Sequence, residues 1–289
     1  MAKVRAAPWR VNAARFDKVG HPADFRAMTE AEKPNPPARP AATVLLLRDG
    51  PAGLEVFMVI RHHAIDFASG AAVFPGGRVE EADRDIAEKM SASETDIFRV
   101  AAVREAFEEC GVLLATERHG GPLIGGDRMR AVEAGHRAEL NAGARGFAAV
   151  LEEENLVPAL DRMVHFAHWI TPINRPKRFD THFFAAEAPA DQLAVHDGHE
   201  AVDSHWIHPA KVIEEADAGR MTLVFATRLN LQRLARHKTV AEVLDAARRE
   251  PVVTVLPKMY KTDEGRFISI PAEAGYGGEV FPAIDAPAN

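Results

Sequence analysis

The sequence predicts an α/β (α+β) fold in which a mixed sheet is covered by helices on both faces. Three observations lead there. Two apolar runs, residues 43–48 (TVLLLR) and 54–61 (LEVFMVIR), flank the turn-forming string Asp49-Gly50-Pro51-Ala52-Gly53 and read as a β-hairpin. Strand-like runs then precede, interrupt and follow helical ones, which is the pattern of a mixed sheet between two helical layers. With 289 residues, 47% of them hydrophobic, the chain can bury one sizeable core with a helical annex.

The elements follow in order. Residues 1–40 mix Ala, Pro and charge, with Pro34, Pro36, Pro37 and Pro40 near the end, so they form an N-terminal leader or strap rather than a domain. The hairpin opens a domain expected over residues 41–260. Residues 71–74 are strand-like, and Pro75-Gly76-Gly77 makes a tight turn where the backbone can approach a ligand closely. Residues 83–103 lead into a short, heavily charged helix stopped by Gly111. A Gly-rich loop over 116–125 and Ala, Glu, Leu and Arg at helical spacing over 127–163 give a helical insertion of about 116–165, with two or three helices. Strands resume at 166–171, 181–186 and 201–207. Pro209 sits in the first turn of a helix over 209–216, and helices over 221–236 and 239–249 follow. Residues 252–256 and 267–270, around Asp263-Glu264-Gly265, suggest a closing hairpin, so that 261–289 is a C-terminal hairpin and tail.

Composition narrows the function. A net charge of −7 argues against nucleic acid and anionic membrane as partners, both of which call for a basic patch. It permits a phosphorylated small molecule, because a bound divalent cation supplies local positive charge. The single cysteine, Cys110, excludes an internal disulfide and falls on a packing face, as a buried structural thiol does. No apolar run reaches the length of a membrane span, no secretory signal opens the chain, and the terminal Ala-Pro-Ala-Asn is not a peroxisomal address. The expected setting is cytoplasmic. The 13 histidines, among them His62, His63, His182, His196 and His199, lack a ligand spacing such as HExxH, so no zinc site is expected. Phe183, Phe184, Trp169 and Trp206 read as sheet core, the tryptophans with one polar edge.

The charged helix carries the chemistry. At about 100° per residue, Glu105, Glu108 and Glu109 fall within an arc of roughly 100°, and Val100, Val103, Phe107 and Cys110 within about 80° on the opposite face. An ExxEE string is also what an ordinary solvated helix face looks like. The glycine turn before it shifts the balance, as does Arg104, four residues ahead of Glu108 and able to hold that carboxylate. Three repelling carboxylates within reach of one point suit a hard cation, and oxygen-only ligation is what Mg²⁺ or Mn²⁺ prefers.

Residues 77–112 resemble the signature of the Nudix hydrolases: Gly, five residues, Glu, seven residues, Arg-Glu, an aliphatic residue, any residue, Glu-Glu, any residue, Gly and an aliphatic residue. Gly77, Arg104, Glu105, Glu108, Glu109, Gly111 and Val112 match it. Asp83 stands at the first glutamate position, Ala106 at a position usually larger, and the spacer from Asp83 to Arg104 is 20 residues instead of seven. The 13 extra residues are polar and charged and are expected to bulge out as a loop. This interruption resembles the branch of peroxisomal-type coenzyme A diphosphatases. In that branch Arg-Ser, three residues, Arg, three residues, Gly and three residues precede Phe-Pro-Gly-Gly. Arg61, Gly70 and Phe74-Pro75-Gly76-Gly77 match at the right spacing, with His62 for the serine and Asp66 for the second arginine. Residues 169–172 (WITP) and 178–184 (RFDTHFF) are similar as well, so the resemblance spans about 41–260.

The resemblance implies a Nudix-type αβα sandwich and a metal-dependent pyrophosphohydrolase. Its substrate is then a nucleoside diphosphate linked to another moiety, first of all coenzyme A or an acyl-coenzyme A. ADP-ribose, NADH and dinucleoside polyphosphates are the alternatives within the class, and an inactive Nudix-fold binding protein is the alternative outside it. Glu108 and Glu109 become metal ligands, Glu105 a third ligand or a proton acceptor, and Arg104 an orienting residue. Asp83 either supports Arg104 or has been carried out of the site by the insertion. A further carboxylate from outside the signature is expected as base or extra ligand; Glu200 is the candidate, or else an ordinary solvated loop residue. Arg61, Gly76 and Gly77 would meet the substrate, although an arginine at a strand end, as Arg61 is, more commonly pairs with a surface carboxylate. The helical insertion also allows a homodimer.

Overall fold

In a computed structural model, the described residues are 36–283 without 62–69, 91–92, 174, 193, 195–200 and 263–264. Residues 1–35 of the expected leader, the substitutions His62 and Asp66, the loop bearing Glu200, most of the final turn and the tail 284–289 therefore lie outside them.

The chain opens with β1 (Arg39–Gly50) and β2 (Gly53–Arg61), the expected hairpin, with strands longer than their apolar cores. Then come β3 (Ala72–Val73), β4 (Gly76–Arg78), α1 (Glu81–Lys89) and α2 (Glu94–Cys110). The insertion holds β5 (Ala115–Thr116), α3 (Gly126–Asn141), α4 (Phe147–Glu153) and β6 (Val157–Pro158). Three strands follow, β7 (Val164–Ile170), β8 (Phe179–Glu187) and β9 (Ala201–Ile207). Helices α5 (Pro209–Asp217), α6 (Phe225–Leu234) and α7 (Val240–Arg249) precede β10 (Thr254–Val255), β11 (Lys258–Thr262), β12 (Gly265–Ser269) and β13 (Val280–Pro282).

An eight-stranded mixed sheet runs β10-β7-β8-β1-β2-β3, with β4 added on β1 and β9 on β2. At its centre β1 pairs in parallel with the whole of β8 through residues 39–47; its other edge is shared, residues 41–43 pairing with β4 and 47–50 with β2. Because residues 44–47 (VLLL) are apolar at every position and fully buried, β1 feeds both layers at once, as a strand buried on both faces must. Ala42, Val44 and Leu46 face α2, α3 and α4, packing with Val100, Phe107, Val132 and Phe147. Leu45 and Leu47 face α5, α6 and α7, packing with Val212, Leu231 and Val243. The αβα sandwich is what the sequence predicts.

Four local expectations are corrected. Gly76 and Gly77 lie in strand β4 rather than in a turn. The 13-residue excess is not a loop, because α1 and the first turns of α2 absorb nearly all of it. Asp96 builds the start of α2, its carboxylate accepting from Ser93 N–H at 2.9 Å and Ser93 Oγ at 2.8 Å. Nor is α2 apolar on one side only: Arg104, Glu105 and Glu109 are buried together with Val100, Val103, Phe107 and Cys110. The closing hairpin is formed by β11 and β12, whereas Thr254 and Val255 join β7 in the main sheet. Among the described residues, no helix is long and apolar enough to cross a membrane.

Candidate active site

Arg104 stands at the centre of the site. Its side chain is buried and its fork reaches four partners. Nε and Nη2 donate to the two carboxylate oxygens of Asp83 at 3.0 Å each; Nη1 donates to Glu105 Oε1 at 2.9 Å and to Glu108 Oε2 at 3.1 Å; Nη2 also donates to the Arg78 carbonyl at 2.8 Å. Burial works against this charge, yet the bonds donated to Asp83 and the charges of Glu105, Asp83 and Glu108 outweigh it and raise the pKa. Asp83 is 0% exposed. It reaches Arg104 with the shorter side chain because it sits in the first turn of α1, where Oδ2 also accepts from Glu80 N–H at 2.8 Å. The insertion therefore leaves Asp83 against Arg104 and lengthens the helices that hold the pair.

Strand β4 supplies the other wall. Gly76 N–H donates to Glu109 Oε2 at 2.9 Å. Gly76 lies against β1, where a Cβ would come within 2.7 Å of Thr43 Cα. A Cβ on Gly77 would sit 2.6 Å from the Glu105 carboxyl carbon, so only glycine leaves that carboxylate its place. Glu108 is the most exposed of the three helix glutamates. Burial raises its pKa; Arg104 opposes the shift, and the charges of Glu80 and Asp83 add to it. A carboxylate driven towards its neutral form by burial and acidic neighbours gains from a cation, and the surrounding donors are all oxygens, which fits Mg²⁺ or Mn²⁺.

The structure thus gathers Arg104, Glu105, Glu108, Glu109, Asp83, Gly76 and Gly77. The glutamates do not converge on one point: Glu105 and Glu108 turn to Arg104 and Glu109 to Gly76. Arg61 ends β2, and its side chain lies outside the described residues, as does Glu200. Glu80, whose charge acts on Glu108, is the residue that sequence reasoning missed; its signal was its place three residues after Gly77 and three before Asp83. Trp169 is buried with one polar edge, Nε1 donating to Tyr276 Oη at 2.9 Å. Phe183, Phe184 and Cys110 are core, and Trp206 packs on Phe57 beneath the Arg48 guanidinium.

A sequence model of the NUDT19 Nudix domain matches residues 87–234, half of the chain. A Caenorhabditis elegans protein named "Putative nudix hydrolase 7" is 30% identical over 63% of this chain and 56% of its own length. "Acyl-coenzyme A diphosphatase NUDT19" of Xenopus laevis is 22% identical over 65% of this chain and 62% of its own. The chain thus spans less than two thirds of the length of these curated relatives. A NUDIX hydrolase from Alicyclobacillus acidocaldarius, known from its crystal structure, superimposes with a TM-score of 0.61 at 25% identity, covering 72% of this chain and 96% of that one.

Proposed function

Because the chain belongs to the NUDT19 Nudix domain family, we propose that it is a metal-dependent pyrophosphohydrolase that cleaves a nucleoside diphosphate linked to another moiety, with coenzyme A or an acyl-coenzyme A as substrate. The observation that carries this reading is the buried Arg104 fork, which holds Asp83, Glu105 and the partly exposed Glu108 in one network beside a strand that begins with two glycines. The substrate class draws support from the relatives named as acyl-coenzyme A diphosphatases, which are 22% and 28% identical.

Breaking a P–O–P linkage puts charge on the phosphoryl oxygens, so positioning and electrostatics supply most of the catalysis. Mg²⁺ or Mn²⁺ held by Glu105, Glu108 and Glu109 would supply charge neutralisation and a more acidic bound water. The chain's own contribution is to keep those carboxylates ready. Arg104 sets the rotamers of Glu105 and Glu108, Asp83 anchors Arg104, and Gly76 N–H holds Glu109. Glu105 serves as third ligand or proton acceptor. Gly76 and Gly77 let the substrate approach the strand, Arg61 takes a phosphate, and Glu200 is the base from outside the helix. A cytoplasmic protein without nucleic-acid or membrane partners fits the acidic composition, and a homodimer through α3 and α4 would accompany catalysis.

The test is a Mg²⁺ and Mn²⁺ hydrolysis screen on coenzyme A, acetyl-coenzyme A, ADP-ribose, NADH and a dinucleoside tetraphosphate, with Glu108→Gln alongside. Adenosine 3′,5′-bisphosphate released from coenzyme A by the wild type alone is the expected result. Cleavage of ADP-ribose or NADH instead keeps the chemistry and overturns the substrate. Silence with every substrate and both metals overturns the enzyme reading in favour of a binding protein.

A further inference from the structure

A second cluster of ligating side chains lies on β7 and β8, on the sheet face covered by α2. Three positions separate His165 from His168, so a regular strand would aim them at opposite faces. A bulge prevents this. His165 pairs with Phe184 and Ala167 with Phe183, leaving Phe166 as the extra residue, and Phe166 and Ala167 both enter the core of the opposite layer. Bulges of this kind re-aim side chains. Here the bulge brings His165 and His168 to the face that already carries Asp180, His182 and Phe184. The His182 ring then lies 4.9 Å from that of His165 and 4.0 Å from that of His168, with Phe98 of α2 covering it at 4.0 Å.

The nitrogens are aimed at one another. His168 Nε2 stands 2.5 Å from Asp180 Oδ1, and His182 Nδ1 stands 3.0 Å from His165 Nε2. One ligand atom each from His168, Asp180 and His182 fall within 4.8 Å of one another, and among the described residues no other three histidine, cysteine or carboxylate side chains are so gathered. The far nitrogen of His168 is fixed as well, with Nδ1 2.8 Å from Thr254 Oγ1 on β10. A partner on the second ring nitrogen is how ligating histidines are usually oriented.

We propose that His168, Asp180 and His182 form a second metal site, separate from the acidic one, for a transition-metal dication of the Zn²⁺ class, with His165 as the fourth ligand. Two or three imidazoles with one carboxylate suit Zn²⁺, Co²⁺ or Ni²⁺, whereas Mg²⁺ prefers oxygen alone. Tetrahedral Zn²⁺, with bonds of about 2.0–2.1 Å, needs donor atoms roughly 3.3 Å apart, so the ligand atoms of His168, Asp180 and His182, all within 4.8 Å of one another, have to close by no more than about 1.5 Å, which side-chain rotation can provide. The two sites are distinct. In register, Gly77 pairs with Ala42 and Ala42 with His182, and strands spaced about 4.8 Å apart place these backbones roughly 10 Å from each other. Histidine spacing alone does not reveal such a site, since His165, His168 and His182 converge only through the bulge and the strand pairing.

Co²⁺ titration of the metal-stripped full chain, in excess Mg²⁺ to fill the acidic site, reads the proposal directly through the visible absorption of the bound ion. The expected result is one equivalent of Co²⁺ with a band that persists in Mg²⁺ and is bleached by one equivalent of Zn²⁺. His168→Gln, His182→Asn and the isosteric Asp180→Asn should each weaken binding by at least about tenfold, while Glu108→Gln leaves the band unchanged. Melting curves in EDTA identify any variant that has lost its fold, and Asp180→Asn carries the comparison if a histidine variant does. No band in the wild type, equal binding in all folded variants, or a band lost only in Glu108→Gln would each overturn the proposal.

Discussion

Removing Arg104 tests whether the buried fork holds the site together. Its side chain is 4% exposed, and that of Asp83 0%, and two parallel bonds of 3.0 Å join them. Arg104→Ala strands the Asp83 carboxylate in the interior, and Asp83→Ala takes the guanidinium's bidentate partner. Breaking one side of such a buried pair costs about 3–5 kcal/mol. At about 2–4 °C per kcal/mol for a protein of this order of size, either single variant should melt roughly 6–20 °C below wild type. The double variant leaves no stranded charge between the two positions, so its loss should fall short of the summed singles by about 2–3 kcal/mol. Urea denaturation in EDTA of the wild type, both singles and the double completes the cycle. Singles that cost less than about 1 kcal/mol, as exposed ion pairs do, or losses that add to within about 0.5 kcal/mol, would refute the reasoning.

Further outcomes follow from the same geometry. Gly77→Ala puts a Cβ 2.6 Å from the Glu105 carboxyl carbon; hydrolysis should drop at least about tenfold for an overpacking cost of about 1–3 kcal/mol, and unchanged kcat would show that Glu105 is not held there. Glu108→Gln should lower Mg²⁺-dependent turnover by on the order of 10²-fold or more, with a melting temperature in EDTA no lower than wild type, since burial already disfavours that charge. Tyr276→Phe strands two buried groups, the Trp169 N–H and Asn230 Oδ1, the latter accepting from Tyr276 Oη at 2.7 Å, and should cost about 1–3 kcal/mol by urea denaturation. Burial raises the Tyr276 phenol above its usual pKa. The folded state therefore keeps a proton that the unfolded chain releases near pH 10, and stability should fall as pH climbs beyond 10; Tyr276→Phe should flatten that decline in a pH series of melting curves.

Most of the site was legible because its logic is local. REAFEECG is one helical stretch, so the angular positions of Arg104, Glu105, Glu108 and Glu109 and the stop at Gly111 follow from 3.6-residue periodicity alone. The hairpin β1–β2 was equally local, being two apolar runs around a five-residue turn string. What escaped depends on partners far along the chain. Gly76 and Gly77 have no side chain to report a strand, and they become one only because residues 41–43 of β1 offer an edge. The insert after Asp83 reads as polar loop, yet Ile86 and Ala87 of α1 and Ile97 and Phe98 of α2 pack on the main core and keep it helical. Residues 252–256 have strand composition, and their parallel pairing with β7 cannot be told from a hairpin arm until α6 and α7 are placed. The register shift at Phe166 leaves no mark in the sequence that alternation counting would detect.

The shared central strand has a consequence for how the chain comes to be assembled. One edge of β1 finds β2 and β4 within about forty residues, but the other edge pairs Arg39 with Phe179 and Leu47 with Glu187. On the ribosome, that second edge stays open until β8 has emerged, with Leu45, Leu46 and Leu47 already made. Closing a loop of that span is slow compared with forming a hairpin. The nascent chain therefore carries a strongly apolar strand with one edge still open through the synthesis of the entire helical insertion, and this interval, rather than any feature of the finished fold, is when that edge is available to pair wrongly.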